Sequence, residues 1–298
     1  MRIQDAYTQL MYQLFELYDD REAANIADWI IEHITGFKRI DRLTNKQFPL
    51  TEKQQQLLNT YTTQLLQHKP VQFVLHEAWF AGMKLYVDEN VLIPRPETEE
   101  LVEWIILESQ KSNVKSQKVL DVGTGSGCIP VALKKKLPKL DVHALDISEA
   151  ALNVAQKNAD TLNTAITFYK NDILNKTTWD ELPVFDIIVS NPPYIKQSEE
   201  NEMRKNVLLH EPHLALFVPN DDALLFYKAI AGFGLTHLNK EGKLFFEINE
   251  AHGNEIKQLM NEYGYSNVEL KKDMQGKERM VKAETKAPAL KGANRRRL

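Results

Sequence analysis

The 298-residue chain contains a single cysteine, Cys128. One thiol can neither close an intrachain disulfide nor build a cysteine-based zinc cluster, and its rarity agrees with a reducing compartment. No stretch approaches the roughly 18 consecutive apolar residues that a membrane helix needs. The N-terminus, Met1-Arg2-Ile3-Gln4-Asp5, lacks the basic and then apolar layout of a secretory signal, so a cytoplasmic protein with no membrane partner is expected. Glycine and proline number only 12 each, which excludes collagen-like and low-complexity chains. An excess of basic charge is also missing: 37 Lys and Arg against 41 Asp and Glu leave a net charge of −4. That balance argues against stable nucleic-acid binding through phosphate neutralisation. His76, His210 and His213 lack the spacing of a zinc site, so no metal is expected.

Apolar residues make up 43% of the chain, enough for one large or two ordinary domains. The first part is helical by period. Ile3, Tyr7, Leu10, Met11, Leu14, Phe15 and Tyr18 recur at three- and four-residue spacing, and Ala23 to Ile34 continues the pattern up to Gly36. A third helix opens on the capping-box pattern Thr51-Glu52-Lys53-Gln54 and ends before Pro70. Residues 1–76 therefore predict a small helical domain. From Trp79 to Val87, around Gly82, the pattern suits a hairpin, and Ile93-Pro94-Arg95-Pro96-Glu97 is a stiff loop leading into a helix from about Thr98. Beyond Lys118 strands and helices alternate, which predicts a mainly parallel sheet covered on both faces. The last two strands, Val268 to Lys271 and Glu278 to Ala283, are too close for a crossover helix and should be antiparallel. Residues 77–284 thus form a hairpin linker and an α/β domain. The basic tail 285–298 reads as unstructured. Trp29, Trp79, Trp104 and Trp179 read as packing residues.

Two stretches carry chemistry. In the first, Gly123-Thr124-Gly125-Ser126-Gly127 follows Asp121 between a strand and a helix. Glycines let the backbone turn sharply and admit a ligand where a Cβ would block it. The next strand ends on Asp146, where a carboxylate can accept both hydroxyls of a ribose. The pair predicts an adenosine site, yet Cys128 stands where a dinucleotide fingerprint needs its third glycine, and no P-loop lysine follows. The second stretch is Asn191-Pro192-Pro193-Tyr194, at the end of the strand Phe185 to Ser190. Proline has no N–H, so the stretch offers carbonyl oxygens and almost no donors. The side-chain oxygen of Asn191 and the Pro192 carbonyl are two acceptors that could orient a planar –NH2 group for attack on a methyl donor. Tyr194 could stack on that group.

The glycine loop after Asp121 resembles the S-adenosylmethionine loop of the Rossmann-like methyltransferases, a seven-stranded class with one antiparallel strand. In that class Asp172 and Ile173 would fall beside the adenine. Asn191-Pro192-Pro193-Tyr194 resembles the signature of amino-methyltransferases. Together with Leu92-Ile93-Pro94-Arg95-Pro96-Glu97-Thr98-Glu99, Glu211-Pro212 and Gly276-Lys277-Glu278-Arg279, these stretches are similar to the HemK/PrmC family, the peptide chain release factor glutamine methyltransferases, over residues 1 to about 283. The resemblance implies transfer of a methyl group from S-adenosylmethionine to the amide nitrogen of the glutamine in the Gly-Gly-Gln motif of class I release factors. It further implies that the helical domain helps to hold that protein substrate. His76 departs from a common glycine of the family, Ile173 from an aromatic residue, and Asn249 from another glycine.

Two other readings compete. A nucleic-acid exocyclic amino-methyltransferase would use the same acceptors on a flipped base, but the net charge and the short 195–220 insert disfavour it. A non-catalytic module with a vestigial fold is disfavoured by the intact Asn191-Pro192-Pro193-Tyr194. A monomer is expected. The charged stretch Glu199 to Lys205 is either a solvated face or a docking surface, and Arg95 and Glu97 either pin the linker or touch a ligand.

Overall fold

The computed structural model describes residues 1–111 and 116–286. The expected tail lies, from residue 287 onward, outside the described residues. Five helices come first: α1 (Ile3–Leu14), α2 (Asp20–Thr35), α3 (Arg39–Thr44), α4 (Glu52–Leu66) and α5 (Val71–Leu75). A hairpin of β1 (Ala78–Phe80) and β2 (Met83–Leu85) follows, then α6 (Pro96–Gln110). The alternating part runs β3 (Lys118–Val122), α7 (Cys128–Lys136), β4 (Asp141–Asp146), α8 (Glu149–Thr161), β5 (Thr167–Lys170) and β6 (Phe185–Ser190). After it come β7 (Ile195–Lys196), α9 (Lys205–His210), β8 (Phe217–Val218), α10 (Leu225–His237), β9 (Leu238–Glu247), α11 (Gly253–Glu262), β10 (Ser266–Lys272) and β11 (Glu278–Glu284).

The chain divides into two compact units, and the first is Met1–Glu77 with Val87–Glu89 and Glu202–Glu211. Its core is the apolar stripe that the sequence period marks, including Ile3, Leu10, Leu14, Ile30 and Leu65. The capping box on α4 is formed, since Thr51 Oγ1 accepts from the Gln54 amide at 3.3 Å and Gln54 Oε1 accepts from the Thr51 amide at 3.0 Å. Helix α2 ends on Gly36 in the left-handed region, φ 74°. Three helices are additional to the sequence reading, and one of them is the six-residue α9. α3 has six residues and α5 five, too few for a period to register. His76 caps α5 with φ 53°, a left-handed conformation that glycine adopts at no cost. The charged stretch after β7 contributes Arg204, which reaches Glu22 at 3.7 Å, and α9 contributes His210, whose Nε2 lies 3.1 Å from the Gln67 carbonyl.

The second unit is built on a seven-stranded sheet in the order β10-β11-β9-β6-β3-β4-β5. Only β11 runs against its neighbours, pairing antiparallel with both β9 and β10. This is the Rossmann-like arrangement expected from the sequence. Alternate residues of each strand face opposite layers. Leu120, Val122, Ile188, Leu244 and Phe246 pack with α10 and α11, through Tyr227, Phe233, Ile256 and Met260. Val119, Ile187, Val189 and Phe245 pack with α6 and α7, through Leu101, Ile105, Val131 and Leu133. Helix α6 begins at Pro96, two residues ahead of expectation, because proline at the first helical position forfeits no hydrogen bond. Trp104 and Trp179 are buried, but Trp79 is 57% exposed. In β1 the alternation turns Ala78 and Phe80 inward and Trp79 outward, so its reading as a packing residue is corrected.

Helix α6 is tied to the sheet at its C-terminal end. Glu108 Oε2 accepts from Lys243 of β9 at 2.6 Å and from Lys282 of β11 at 3.4 Å, and its Oε1 accepts from Lys111 at 2.6 Å. Burial pushes the Glu108 carboxyl up, but the hydrogen bonds from Lys111 and Lys243 and the charge of Lys282 outweigh it and hold it at about 2. A depressed carboxyl stabilises the fold above its ordinary value of 4.5, and that contribution is lost as pH falls through the folded value. Glu108→Gln should therefore cost about 2–3 kcal/mol at neutral pH. Urea denaturation of both proteins should show this difference shrinking as pH is lowered below the ordinary carboxyl value; a gap that stays constant would refute the assignment.

Candidate active site

The strand register places the functional residues side by side. Val122 at the end of β3 pairs with Leu145 of β4 and with Ser190 of β6, and Ser190 pairs with Phe246 of β9. The residues one step further on are Gly123, Asp146, Asn191 and Glu247. They emerge at one edge of the sheet, where the parallel strands end on either side of the switch point between β3 and β6. Ser190 reinforces this edge by donating from Oγ to the Val122 carbonyl at 2.7 Å.

A cavity opens there, and its walls come wholly from the second unit. Gly123, Thr124, Gly125, Ser126, Asp146, Asp172, Ile173, Asn191, Pro192 and Pro193 all line it. Gly127 and Tyr194 do not figure in its lining. The three glycines have φ of 73°, 52° and 75°, values that side-chain-bearing residues rarely adopt. At Gly127 a Cβ would also stand 3.0 Å from the Ala155 Cβ, so this glycine allows α8 to approach the loop. Asn158 of α8, buried, holds the loop by donating to the Ser126 carbonyl at 2.9 Å.

Asp146 is anchored by the same loop. Its Oδ2 accepts from the Gly125 amide and its Oδ1 from the Ser148 amide, each at 2.9 Å. Burial raises its pKa, and these two amides draw it part of the way back. A carboxylate has about four acceptor positions, so positions remain for two hydroxyls. Asp121, one step inside the end of β3, is 1% exposed and neither oxygen completes a well-formed hydrogen bond among the described residues. Burial drives it up to about 7, opposed by the neighbouring Thr124 hydroxyl and reinforced by the charge of Asp146. An orphaned buried carboxyl beside a glycine cradle fits a ligand that is cationic and carries a ribose. S-adenosylmethionine is such a molecule.

Asn191 Nδ2 donates to Thr98 Oγ1 at 3.3 Å, and Thr98 Oγ1 donates to Glu247 Oε2 at 2.6 Å. Burial lifts the Glu247 carboxyl to about 7 against the Thr98 hydrogen bond and the charge of Arg279. Tyr194, partly buried, packs on the core layer of α10 and α11, and its phenol lies in the field of Glu247 and Arg279. Burial and the charge of Glu247 raise that phenol to about 12. The sequence reading gave no role to Thr98, Glu247, Phe226 or Ile230, although Thr98, Phe226 and Ile230 line the cavity. Glu247 left one trace in the sequence, a charge at the end of the apolar run Leu244-Phe245-Phe246. Phe226 and Ile230 left none, because apolar residues on a helix look alike whichever surface they meet. Asp172 Oδ1 accepts from the Leu174 amide at 2.9 Å, forming a turn, while Ile173 is buried.

The chain resembles known proteins along nearly its whole length. A release factor glutamine methyltransferase of Flavobacterium psychrophilum is 46% identical over 95% of this chain and 99% of its own. A second, of Bacteroides thetaiotaomicron, is 40% identical over 91% of this chain and 95% of its own. The chain belongs to the release factor glutamine methyltransferases. Residues 6–75 match the PrmC N-terminal domain and residues 103–217 the methyltransferase small domain, so both regions of this family member have counterparts. A methyltransferase structure from Pyrococcus furiosus superposes with a TM-score of 0.50 at 19% identity, covering 77% of this chain and 100% of its own. That likeness concerns the fold. No helix among the described residues is long and apolar enough to cross a membrane.

Removing the Asp146 carboxylate should weaken S-adenosylmethionine binding by about 1–3 kcal/mol. Gly127→Ala should weaken it as well, since the added methyl group pushes the loop away from Ala155. Titration calorimetry on the folded variants checks both, and unchanged affinity in Asp146→Ala would remove that residue from the site.

Proposed function

We propose that this chain methylates the side-chain amide nitrogen of the Gly-Gly-Gln glutamine in class I peptide chain release factors, using S-adenosylmethionine. The observation that carries this reading is that one cavity is lined both by the glycine loop with Asp146 and by the acceptor stretch Asn191-Pro192-Pro193. When bound, S-adenosylmethionine supplies a sulfonium methyl group whose carbon–sulfur bond breaks as the nitrogen–carbon bond forms. The chain's own residues bind and orient. Asp146 takes the ribose hydroxyls, and Asp121 offsets positive charge. Asn191 Oδ1 and the Pro192 carbonyl each accept one N–H of the glutamine amide, which turns the face of the nitrogen toward the methyl group and limits the attack to one geometry.

Acceptors placed at that nitrogen gain most when it becomes cationic, so they favour the transition state over the ground state. No strong base is required before attack, because the cationic nitrogen formed is acidic and releases its proton to solvent after the bond has formed. In the same reading the helical unit holds the protein substrate, and the chain acts in the cytoplasm as a monomer without stable nucleic-acid binding. A net charge of −4 supports that last point.

Asn191→Ala should raise the barrier of the methyl-transfer step by about 2–4 kcal/mol and leave S-adenosylmethionine affinity close to wild type. Single-turnover methylation of a release factor, with mass spectrometry of its Gly-Gly-Gln peptide, tests the reading. Wild-type turnover by Asn191→Ala would refute the clamp, and a methyl group found on nucleic acid but never on glutamine would refute the substrate.

A further inference from the structure

Thr98 stands between two groups with opposite demands. Its hydroxyl oxygen is 2.6 Å from Glu247 Oε2 and 3.3 Å from Asn191 Nδ2. A hydroxyl has one proton to give and lone pairs to receive, whereas an ionised carboxylate can only accept. The Thr98 proton therefore goes to Glu247, and toward Asn191 Thr98 can only accept. It follows that Asn191 turns its –NH2 to Thr98 and keeps Oδ1 for a ligand in the cavity it lines. If Glu247 is protonated the relay can run the other way. The carboxyl then donates to Thr98, and the freed Thr98 proton can seek Asn191 Oδ1. An amide turned over in this way would present N–H groups to a substrate that also brings N–H groups, two donors without an acceptor between them.

We propose that Thr98 and Glu247 are positioning residues that fix the orientation of the Asn191 amide through this one-way relay. The acceptor end of Asn191, rather than its donor end, then meets the substrate nitrogen. The inference rests on the amide-clamp reading above and supplies what that reading leaves open, namely why an asparagine, which has both ends, should behave as an acceptor.

The surroundings of Glu247 allow both states. It is faced by Arg279 of β11, by Arg95 and Glu97 at the start of α6, by Tyr194 after β6, by Tyr227 of α10 and by Cys128 of α7. Burial raises Cys128 and Tyr194 to about 12 and Tyr227 well above its ordinary value, so these three stay neutral near pH 7. Against its burial, Arg279 is raised above its ordinary value by the charges around it and stays charged. The Glu247 carboxyl, at about 7, changes state within the neutral range. Ionised, it holds the productive orientation; as pH falls through this value the hold is released.

Asp121 titrates near the same pH and would bend an activity profile on its own account, so the test needs a reporter on Asn191 itself. The side-chain –NH2 resonances of Asn191 in the full-length protein, identified by their absence in Asn191→Asp, provide one. In wild type they should shift across neutral pH, and in Glu247→Gln that shift should vanish. Thr98→Val should move them to the position of an unbonded amide and slow single-turnover methylation of a Gly-Gly-Gln peptide by about a hundredfold, with S-adenosylmethionine affinity unchanged. Thr98→Ser, which restores the hydroxyl, should return both signals to wild type. Wild-type resonances and rate in Thr98→Val, or a serine variant as slow as the valine one, would overturn the relay. Should the valine variant not fold, a pH shift that persists in Glu247→Gln would overturn it equally. Failure of the parent reading looks different: the relay signals would behave as described while no methyl group reached glutamine.

Discussion

The parallel register of β4, β3, β6 and β9 is the constraint on which the rest depends. Leu145, Val122, Ser190 and Phe246 form one row across the sheet, and each strand hands its next residue to the site. Asp146, Gly123, Asn191 and Glu247 lie far apart in the chain and become neighbours through this row alone. A slip of one residue in any of these strands would move that residue along the edge and exchange its two faces. The alternating core prevents it, because Leu244 and Phe246 are committed to the layer of α10 and α11 while Phe245 is committed to that of α6 and α7.

The same alternation decides where the buried acids go. Asp121 follows Val119, and Glu247 follows Phe245, so both lie on the side of α6 and α7. Two carboxyls in an apolar layer are costly to ionise, and both are raised to about 7. Their circumstances differ. Glu247 has Thr98 and the field of Arg279, a protein-made environment, whereas Asp121 has no completed hydrogen bond among the described residues. The first belongs to the internal order of the site, and the second keeps both oxygens unpartnered beside the glycine loop.

Helix α6 connects these levels. Its first turn brings Thr98 to Glu247, and its last brings Glu108 to Lys243 of the same strand, β9. Two attachments at opposite ends of one helix fix both its position and its rotation over the sheet, which is what a hydrogen bond of 2.6 Å to a buried carboxyl requires. Pro96 at the first helical position makes the start of this helix abrupt and places Thr98 within its first turn.

The sequence alone determined the alternating architecture, the antiparallel last strand, the glycine loop with Asp146, and the donor-poor Asn191-Pro192-Pro193 stretch, since each is written in local terms: period, φ preference, missing N–H groups. It misjudged Trp79, because a tryptophan gives no sign of which side of a two-stranded ribbon it will take. It passed over α3, α5 and α9 as too short to show a period. Only the tertiary structure brought Thr98 and Glu247 to Asn191, residues whose separate neighbourhoods say nothing about one another. An asparagine in a sequence is both donor and acceptor, and which of the two it offers is decided by the partner that a distant strand and helix put against it.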